Sequence, residues 1–209
     1  MIDRDTAAEM YARLLATYPD ACCELDFDGP FQLLIATVLS AQSTDKGVNK
    51  VTPGLFARCP DAAALAAIER AELEEIIKPT GFFRQKAASL QGIASGLVEG
   101  FDGQVPHSIE DLTRLPGVGR KTANVVRGHA FGLPGITADT HVMRVSKRLG
   151  WTSATKPEDV ERDLNALFPE DDWTMVSDVT IFHGRRCCSA KNPACGDCPV
   201  ADLCPSVAG

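Results

Sequence analysis

The sequence predicts an all-α fold built from about ten helices. Two observations predict it: nearly every segment of the 209 residues repeats its apolar side chains with helical spacing, and no segment shows the alternation of a half-buried strand. The composition, with 44% hydrophobic and 23% charged residues, is that of an ordinary globular protein. The length suits one large domain or two small lobes that share an interface.

The N-terminal part of the chain contains four of these helices. An apolar stripe of Met10, Leu14 and Leu15 predicts the first, in TAAEMYARLLATY. The segment FQLLIATVLSAQ (31–42) is apolar nearly all round, which predicts a helix in the centre of the fold. The segment 61–81 then predicts two short helices, ended by a proline and a glycine.

Six further helices follow toward the C-terminus. We predict them over RQKAASLQGIASGLVEG (84–100), SIEDLTRL (108–115), RKTANVVRGHAFG (120–132), DTHVMRVSKRLG (139–150), KPEDVERDLNALFP (156–169) and DDWTMVSDVTIFHG (171–184). Ser108 and Asp111 have capping-box spacing at the start of one of them. The segment GLPGITA (132–138) is the best candidate for a hinge between two lobes.

The charge is unevenly distributed along this acidic chain. The net charge is −7, and residues 1–30 hold seven acidic against two basic side chains. Residues 105–150 hold seven basic against three acidic ones, which is compatible with a phosphate-binding face and also with a solvated helix face. The polar, acidic N-terminus does not resemble a secretory signal, and no apolar run reaches membrane-spanning length. We therefore expect a cytoplasmic protein with no membrane partner.

The stretch LPGVGRKTANVV (115–126) predicts a tight turn between two helices. Glycines at 117 and 119 permit positive φ and close approach of a ligand, so the turn and the following helix N-terminus can bind a phosphodiester. An ordinary helix corner is the alternative. Lys121 lies at the unfavourable end of the helix dipole, which favours the neutral, nucleophilic amine. Its simpler role would be a phosphate contact.

Asp139 opens the helix DTHVMRVSKRLG and also has two interpretations. Aspartate is a common N-cap, where its carboxylate accepts a backbone N–H bond. A carboxylate in this place can equally stabilise the positive charge that develops when an N-glycosidic bond breaks. The two roles do not exclude each other.

Five of the eight cysteines crowd the C-terminal end, and four of them have a particular spacing. Cys188, Cys195, Cys198 and Cys204 are separated by six, two and five residues. Prolines and a glycine among them enforce a loop, so all four thiolates can surround one centre. The wide gaps before Cys195 and after Cys198 favour an iron–sulfur cluster somewhat over a zinc site, and a pair of disulfides is the third alternative. We expect that the adjacent Cys187 and Cys188 do not both face one corner of this centre, because successive side chains in a helix or turn diverge by about 100°.

Together these motifs resemble the endonuclease III family of the helix–hairpin–helix DNA glycosylase superfamily. The similarity runs from PFQLLIATVLSAQSTD through LPGVGRKTANVV and ADTHVMRV to the cysteine loop, which is most of the chain. It implies two helical lobes with a DNA-binding cleft between them. A six-helix barrel with the helix–hairpin–helix is expected over 23–133, and an iron–sulfur lobe over 1–22 and 134–209.

The resemblance also implies roles for individual residues. Lys121 matches the Schiff-base nucleophile and Asp139 the catalytic carboxylate, while the four spaced cysteines match the ligands of a [4Fe–4S] cluster. Gln42 matches a residue that fills the gap left by an extruded base, and Phe82 falls at a wedge position where leucine is familiar. The remaining implied DNA contacts are Leu115, Pro116, Gly117, Val118, Gly119, Arg120 and His141.

The implied activity is that of a monomeric, bifunctional DNA glycosylase/AP lyase of base excision repair. It would remove oxidised pyrimidines from damaged double-stranded DNA and nick the abasic site by β-elimination. A monofunctional adenine glycosylase is the nearest alternative, although Lys121 counts against it. A non-catalytic DNA-binding module is another. The acidic net charge departs from the family, whose familiar members are basic.

Overall fold

The computed structural model describes residues 2–207, in which the regular secondary structure is entirely helical and no β-strand is present. The α-helices are α1 (Arg4–Thr17), α2 (Pro30–Leu39), α3 (Asp45–Asn49), α4 (Thr52–Arg58), α5 (Ala62–Ala67), α6 (Arg70–Ile77), α7 (Phe83–Phe101), α8 (Ile109–Arg114), α9 (Arg120–Phe131), α10 (Thr140–Arg148), α11 (Pro157–Leu167) and α12 (Trp173–Arg186). Three short 3₁₀ segments span Lys78–Thr80, Glu170–Asp172 and Cys195–Asp197. The predicted all-α class is confirmed.

Two of these helices are missing from the sequence prediction. Helices α3 and α4 are only five and seven residues long, too short to display an apolar period. Pro53 and Gly54 in α4 also suggest a break. The proline lies in the first helical turn, where its missing N–H has no intrahelical acceptor in any case, so the helix tolerates it.

The chain divides into two compact units, with a change of unit after Cys23 and another after Leu133. One unit, Glu24–Leu133, contains α2 to α9. Its centre is α2, in which all seven residues from 33 to 39 are buried. The prediction of a central helix from its all-round apolar sequence is therefore confirmed.

The other unit combines the chain up to Cys23 with the chain from Pro134 onward. Its core joins Met10 and Leu14 of α1 to residues of α10, α11 and α12 around the fully buried Trp151. Leu15, predicted on the same stripe, is instead 38% exposed. The helix turns 100° per residue, so Leu15 leaves the contact that Leu14 makes. Within residues 2–207, no helix is long and apolar enough to cross a bilayer.

Candidate functional site

The predicted turn between α8 and α9 is present at residues 115–119. Gly117 has φ +79°, which confirms the predicted left-handed backbone at this position. Gly119 does not share it: φ is −92° and ψ is 174°, because this residue is the N-cap of α9. A Cβ built on Gly119 would meet no atom within 4 Å. Neither backbone conformation nor packing inside the unit therefore requires glycine at 119.

The turn packs against small residues of α7. A Cβ on Gly92 would lie 3.2 Å from Pro116 Cγ, and one on Gly96 would lie 3.0 Å from Leu115 Cδ2. A Cβ on Gly117 would in turn lie 3.1 Å from Ser89 Oγ. These separations are shorter than ordinary van der Waals contacts. The turn thus packs against α7 at a distance that larger side chains would prevent.

Two residues of the turn point inward and others face solvent. Leu115 and Val118 are buried, and the Val118 N–H donates to the Leu115 carbonyl at 3.1 Å. Their side chains anchor the turn, and the Leu115 N–H also donates within the chain, to the Leu112 carbonyl at 3.2 Å. Pro116, Gly117 and Arg120 are exposed. No side chain caps α9 in the described chain, so the backbone N–H groups of its first turn are directed outward at its positive end.

Lys121 is the second residue of α9 and its side chain is exposed. Residues 2–207 offer its Nζ atom no hydrogen bond and no ion pair. The helix dipole does not stabilise a positive charge at a helix N-terminus, and Lys121 has no carboxylate partner in the described chain to offset this. Its amine is available to a ligand placed beside the turn.

Gln42 and Phe82 share an unusual backbone conformation in the same unit. Their φ angles are 55° and 47°, and among the described residues only Asp102 is a third non-glycine residue with positive φ. Both side chains are exposed, and Phe82 retains 63% of its surface. A non-glycine residue in this region carries strain, and such strain clusters at functional sites.

Asp139 is the N-cap of α10, as its position in the sequence predicts. Its Oδ1 atom accepts from the backbone N–H groups of His141 and Val142, both at 2.8 Å. In the described chain no hydrogen bond or ion pair engages Oδ2, so one carboxylate oxygen stays available. His141 is half-buried, and its Nδ1 lies 3.2 Å from Arg144 Nη2.

The four spaced cysteines line one cavity of about 240 Å³ in the unit that contains α12. Cys188 is buried, and the other three are half-buried. Burial raises the pKa of the Cys204 thiol above its usual range. Four convergent sulfur donors in one cavity fit an iron–sulfur cluster, which takes four thiolate ligands. A bound cluster must supply the electrostatic stabilisation that these buried thiolates need.

Cys187 also lines this cavity, beside Cys188. Helix α12 ends at Arg186, and the N–H groups of Cys187 and Cys188 both donate to the His183 carbonyl. The helical rule of 100° per residue therefore does not apply here. His183, Cys187 and Cys198 bring their ligand atoms within 4.8 Å of one another. Burial raises the pKa of Cys187 to about 12, with the nearby Cys198 as a second cause.

His183 connects the cavity wall to α1. Its Nδ1 lies 3.0 Å from Tyr18 Oη, and its Nε2 lies 3.7 Å from Cys198 Sγ. Burial lowers the pKa of His183 to about 4, so the imidazole is neutral near pH 7. The sequence analysis did not single out this histidine. Its position four residues before Cys187, on the last turn of a buried helix, was the available signal.

Two arginines of the basic segment hold the cysteine loop. Arg148 donates through Nη1 to the Ser189 carbonyl at 2.7 Å and to Cys188 Sγ at 3.3 Å. Arg144 donates through Nη2 to the carbonyls of Gly184 and Cys188 at 2.9 and 3.1 Å. Both belong to the basic segment 105–150, which is compatible with a phosphate-binding face or with a solvated helix face. Both arginines instead bind the chain around Cys188, and Arg148 also lines the cavity.

Comparison with known proteins identifies the family. Residues 35–170 match the model of the HhH-GPD superfamily base excision DNA repair protein, and residues 188–204 match the iron–sulfur binding domain of endonuclease III. The endonuclease III of Synechocystis is 56% identical over 97% of this chain and 93% of its own length. The chain belongs to the HhH-GPD superfamily of base excision DNA repair proteins.

Further relatives agree with this assignment. The endonuclease III of Bacillus subtilis is 44% identical over 90% of this chain and 86% of its own length. A solved structure described as a trapped endonuclease III–DNA covalent intermediate, an estranged-adenine complex, superposes with a TM-score of 0.95. It is 42% identical and covers 100% of this chain and 98% of that one. This HhH-GPD protein is a DNA glycosylase with AP lyase activity, acts on DNA, and carries a [4Fe–4S] cluster.

Proposed function

We propose that this chain excises oxidised pyrimidines from double-stranded DNA with Lys121 as nucleophile. The observation that carries the proposal is the exposed Lys121 amine, which lies directly behind the turn and has no partner in the described chain. The similarity to a trapped covalent intermediate of endonuclease III with DNA supports covalent chemistry. A lysine amine placed beside C1′ of the sugar can act as the nucleophile once it has lost its proton.

The proposed reaction has two stages. The target base is rotated out of the stack, since an enzyme cannot reach C1′ inside a duplex. The Lys121 amine bonds to C1′ while the glycosidic bond breaks, and the base leaves with the bonding electrons and takes up a proton. The sugar ring then opens to an imine with Lys121. Loss of a C2′ proton expels the 3′ phosphate, which nicks the strand on that side.

Asp139 supplies the charge that this reaction needs. Its Oδ1 atom is held by two backbone N–H groups, so the carboxylate has a fixed orientation with Oδ2 left to act. In that orientation it stabilises the positive charge on the sugar or accepts the proton from the attacking amine. Its role as N-cap is what positions it.

The turn at 115–119 binds the DNA backbone in this proposal. The open space beside Gly119 supports this proposal, because it lets a phosphate approach the N-terminus of α9. Gln42 occupies the gap left by the extruded base, and Phe82 wedges the neighbouring step. In this proposal Pro116, Gly117 and Arg120 contact the backbone from the exposed side of the turn, Leu115 and Val118 contribute to the same contact by fixing the turn, and His141 is a further DNA contact.

The cluster ligands are Cys188, Cys195, Cys198 and Cys204 in this proposal. The match to the iron–sulfur binding domain begins at residue 188 and ends at residue 204, which supports this register and leaves Cys187 outside it. The cluster supplies a rigid, charged scaffold for the loop when bound. With DNA as substrate, we place the protein in the cytoplasm on the nucleoid, where it acts as a monomer.

A strand-cleavage assay tests the proposed substrate class. The purified protein is incubated with duplexes that carry thymine glycol, an abasic site or 8-oxoguanine, and the products are separated on a denaturing gel. We expect cleavage of the first two duplexes and no cleavage at 8-oxoguanine. Cleavage at 8-oxoguanine alone, or base release without strand cleavage, would contradict the proposal.

A further inference from the structure

One buried ammonium group connects the two segments that carry Gln42 and Phe82. Lys86, in the first turn of α7, is only 5% exposed. Its Nζ atom donates to the carbonyl of Leu39 at 2.8 Å, to the carbonyl of Thr80 at 2.7 Å and to Ser43 Oγ at 3.3 Å. Three ammonium protons therefore meet three acceptors, and all three acceptors belong to the segments beside Gln42 and Phe82.

The position of Lys86 on α7 makes this charge unexpected. Lys86 lies on the same buried stripe as Leu90, Ile93 and Leu97. Burial lowers the pKa of its ammonium group, which reflects the cost of removing a charge from water. An apolar side chain of similar length would fill this place at lower cost, since buried charges are often replaceable by apolar groups without loss of stability. The lysine therefore differs from an apolar side chain in the hydrogen bonds that its ammonium group donates.

The three acceptors lie close in sequence to the two strained residues. Leu39 is the last residue of α2, so its carbonyl has no intrahelical donor and lies at the negative end of the helix dipole. The Thr80 carbonyl accepts a second bond from Ser43 Oγ. Gln42 lies between Leu39 and Ser43, and Phe82 follows Thr80 by two residues. Lys86 and Ser43 thus join the end of α2 to the segment that precedes α7.

We propose that Lys86 is the positioning residue that holds Gln42 and Phe82 together in their left-handed backbone conformations, ready to enter a duplex. The inference rests on the proposed function, because it takes these two side chains as the ones that contact DNA at the extruded base. Positive φ at a non-glycine residue persists only where the surrounding structure enforces it. Enforcing it in the free protein removes an ordering cost from DNA binding.

A double-mutant cycle on the full-length protein with its cluster tests the inference. Lys86→Met removes the three donors and keeps an unbranched side chain. The readout is the dissociation constant for a duplex that contains a tetrahydrofuran abasic analogue, divided by that for the undamaged duplex. We expect Lys86→Met to reduce this selectivity at least about tenfold, an effect of the size that coupled residues show. In the Gln42→Ala/Phe82→Ala background it should produce no further loss.

Lys78→Met is the matched control. Lys78 lies on the surface, its partner is Glu75, and its substitution removes the same charge from the same region. It should leave the selectivity unchanged. If Lys86→Met does not fold, Ser43→Ala carries the test, because it deletes one hydroxyl and leaves both carbonyl bonds of Lys86 in place. Its selectivity loss should be smaller and should also vanish in the Gln42→Ala/Phe82→Ala background.

The outcomes separate the inference from the function on which it rests. If Gln42→Ala and Phe82→Ala leave selectivity unchanged, these residues do not contact the lesion and their proposed role fails. If they reduce selectivity while Lys86→Met or Ser43→Ala does not, the inference about Lys86 is overturned and the proposed role stands. Losses that add independently in the combined variant also overturn the inference, because they show that Lys86 acts elsewhere.

Discussion

Asp139 has a structural role and a proposed catalytic role, and substitution can separate the two. The N-cap needs only an acceptor at Oδ1, because both backbone N–H groups donate to that atom. The proposed chemistry needs the negative charge. Asparagine keeps the acceptor and removes the charge, whereas serine keeps a cap of a different shape and alanine removes the cap altogether.

We expect Asp139→Asn to reduce base release at least about a hundredfold, as loss of a charge that stabilises a transition state does. Its thermal unfolding should remain close to that of the wild type. Asp139→Ala should lose the same activity and about 1 kcal/mol of stability in addition. Single-turnover kinetics and thermal denaturation measure the two effects. Normal turnover with lowered stability would reduce Asp139 to an N-cap.

Substitution of the adjacent Cys187 and Cys188 tests which of the two cysteines is the first cluster ligand. Both line the cavity, yet only Cys188 gives the six-residue gap and receives a bond from Arg148. Cys188→Ser should yield colourless protein with little iron, because a cluster ligand is lost. Cys187→Ser should remain brown with near-normal iron content.

Iron analysis and visible absorbance distinguish these results. The reverse pattern would move the first ligand to Cys187. Zinc in place of iron in the wild-type protein would contradict the cluster assignment altogether.

At the element scale, the turn depends on the small residues of α7 for its position. Gly96 allows Leu115 to approach the helix, and Gly92 allows Pro116 to do so. Gly96→Val should therefore shift the turn and with it Lys121, at a cost in stability of about 1–3 kcal/mol for overpacking. We expect the rate of base release to fall at least about tenfold, since small displacements of catalytic groups are costly.

Gly100→Val is the control for this prediction. Gly100 lies one turn further along α7, and a Cβ there would meet no atom within 4 Å. It should keep normal activity and gain stability slightly, because valine forms helix better than glycine. Equal single-turnover rates for the two variants would show that the close packing of the turn does not position Lys121.

The helices were predictable where local chemistry decides them. The N-cap half of the capping box predicted at Ser108 is confirmed, because its Oγ accepts from the Asp111 N–H, while the Asp111 carboxylate accepts from the Ser108 hydroxyl. Helices α3 and α4 were not predicted, because they are too short to show an apolar period and depend on packing for their stability. The role of Lys86 was also not predictable from the sequence. Its charge on a buried stripe was visible in the sequence, but its acceptors come from two segments that only the fold brings together.

At the scale of the whole molecule, several arginines of the basic segment 105–150 are bound within the chain. Arg144 and Arg148 bind carbonyls of the chain itself, and Arg114 pairs with Asp111. In the proposed function, phosphate binding therefore relies largely on the backbone N–H groups near Gly117 and Gly119. The charge pattern of the sequence could not reveal this, because it counts arginines without their partners.

The salt dependence of duplex binding should accordingly be shallow. We expect the logarithm of the binding constant to fall with the logarithm of salt concentration with a slope of about −2 to −4, corresponding to a few neutralised phosphates. Fluorescence anisotropy with an undamaged duplex at several salt concentrations measures it. A slope near zero would contradict DNA binding through charges, and a slope near −8 would show that many more cations contact the backbone.

Trapping of the covalent intermediate tests the central claim, that Lys121 is the nucleophile, most directly. The wild-type protein and Lys121→Gln are each incubated with abasic-site duplex and sodium borohydride, which reduces an imine to a stable bond. Lys147→Gln, which removes an exposed lysine from α10, is the control. We expect the wild type and the control to form an adduct that peptide mapping assigns to Lys121, and Lys121→Gln to bind DNA without an adduct. Trapping of Lys121→Gln at wild-type yield, or an adduct on another residue, would contradict the account.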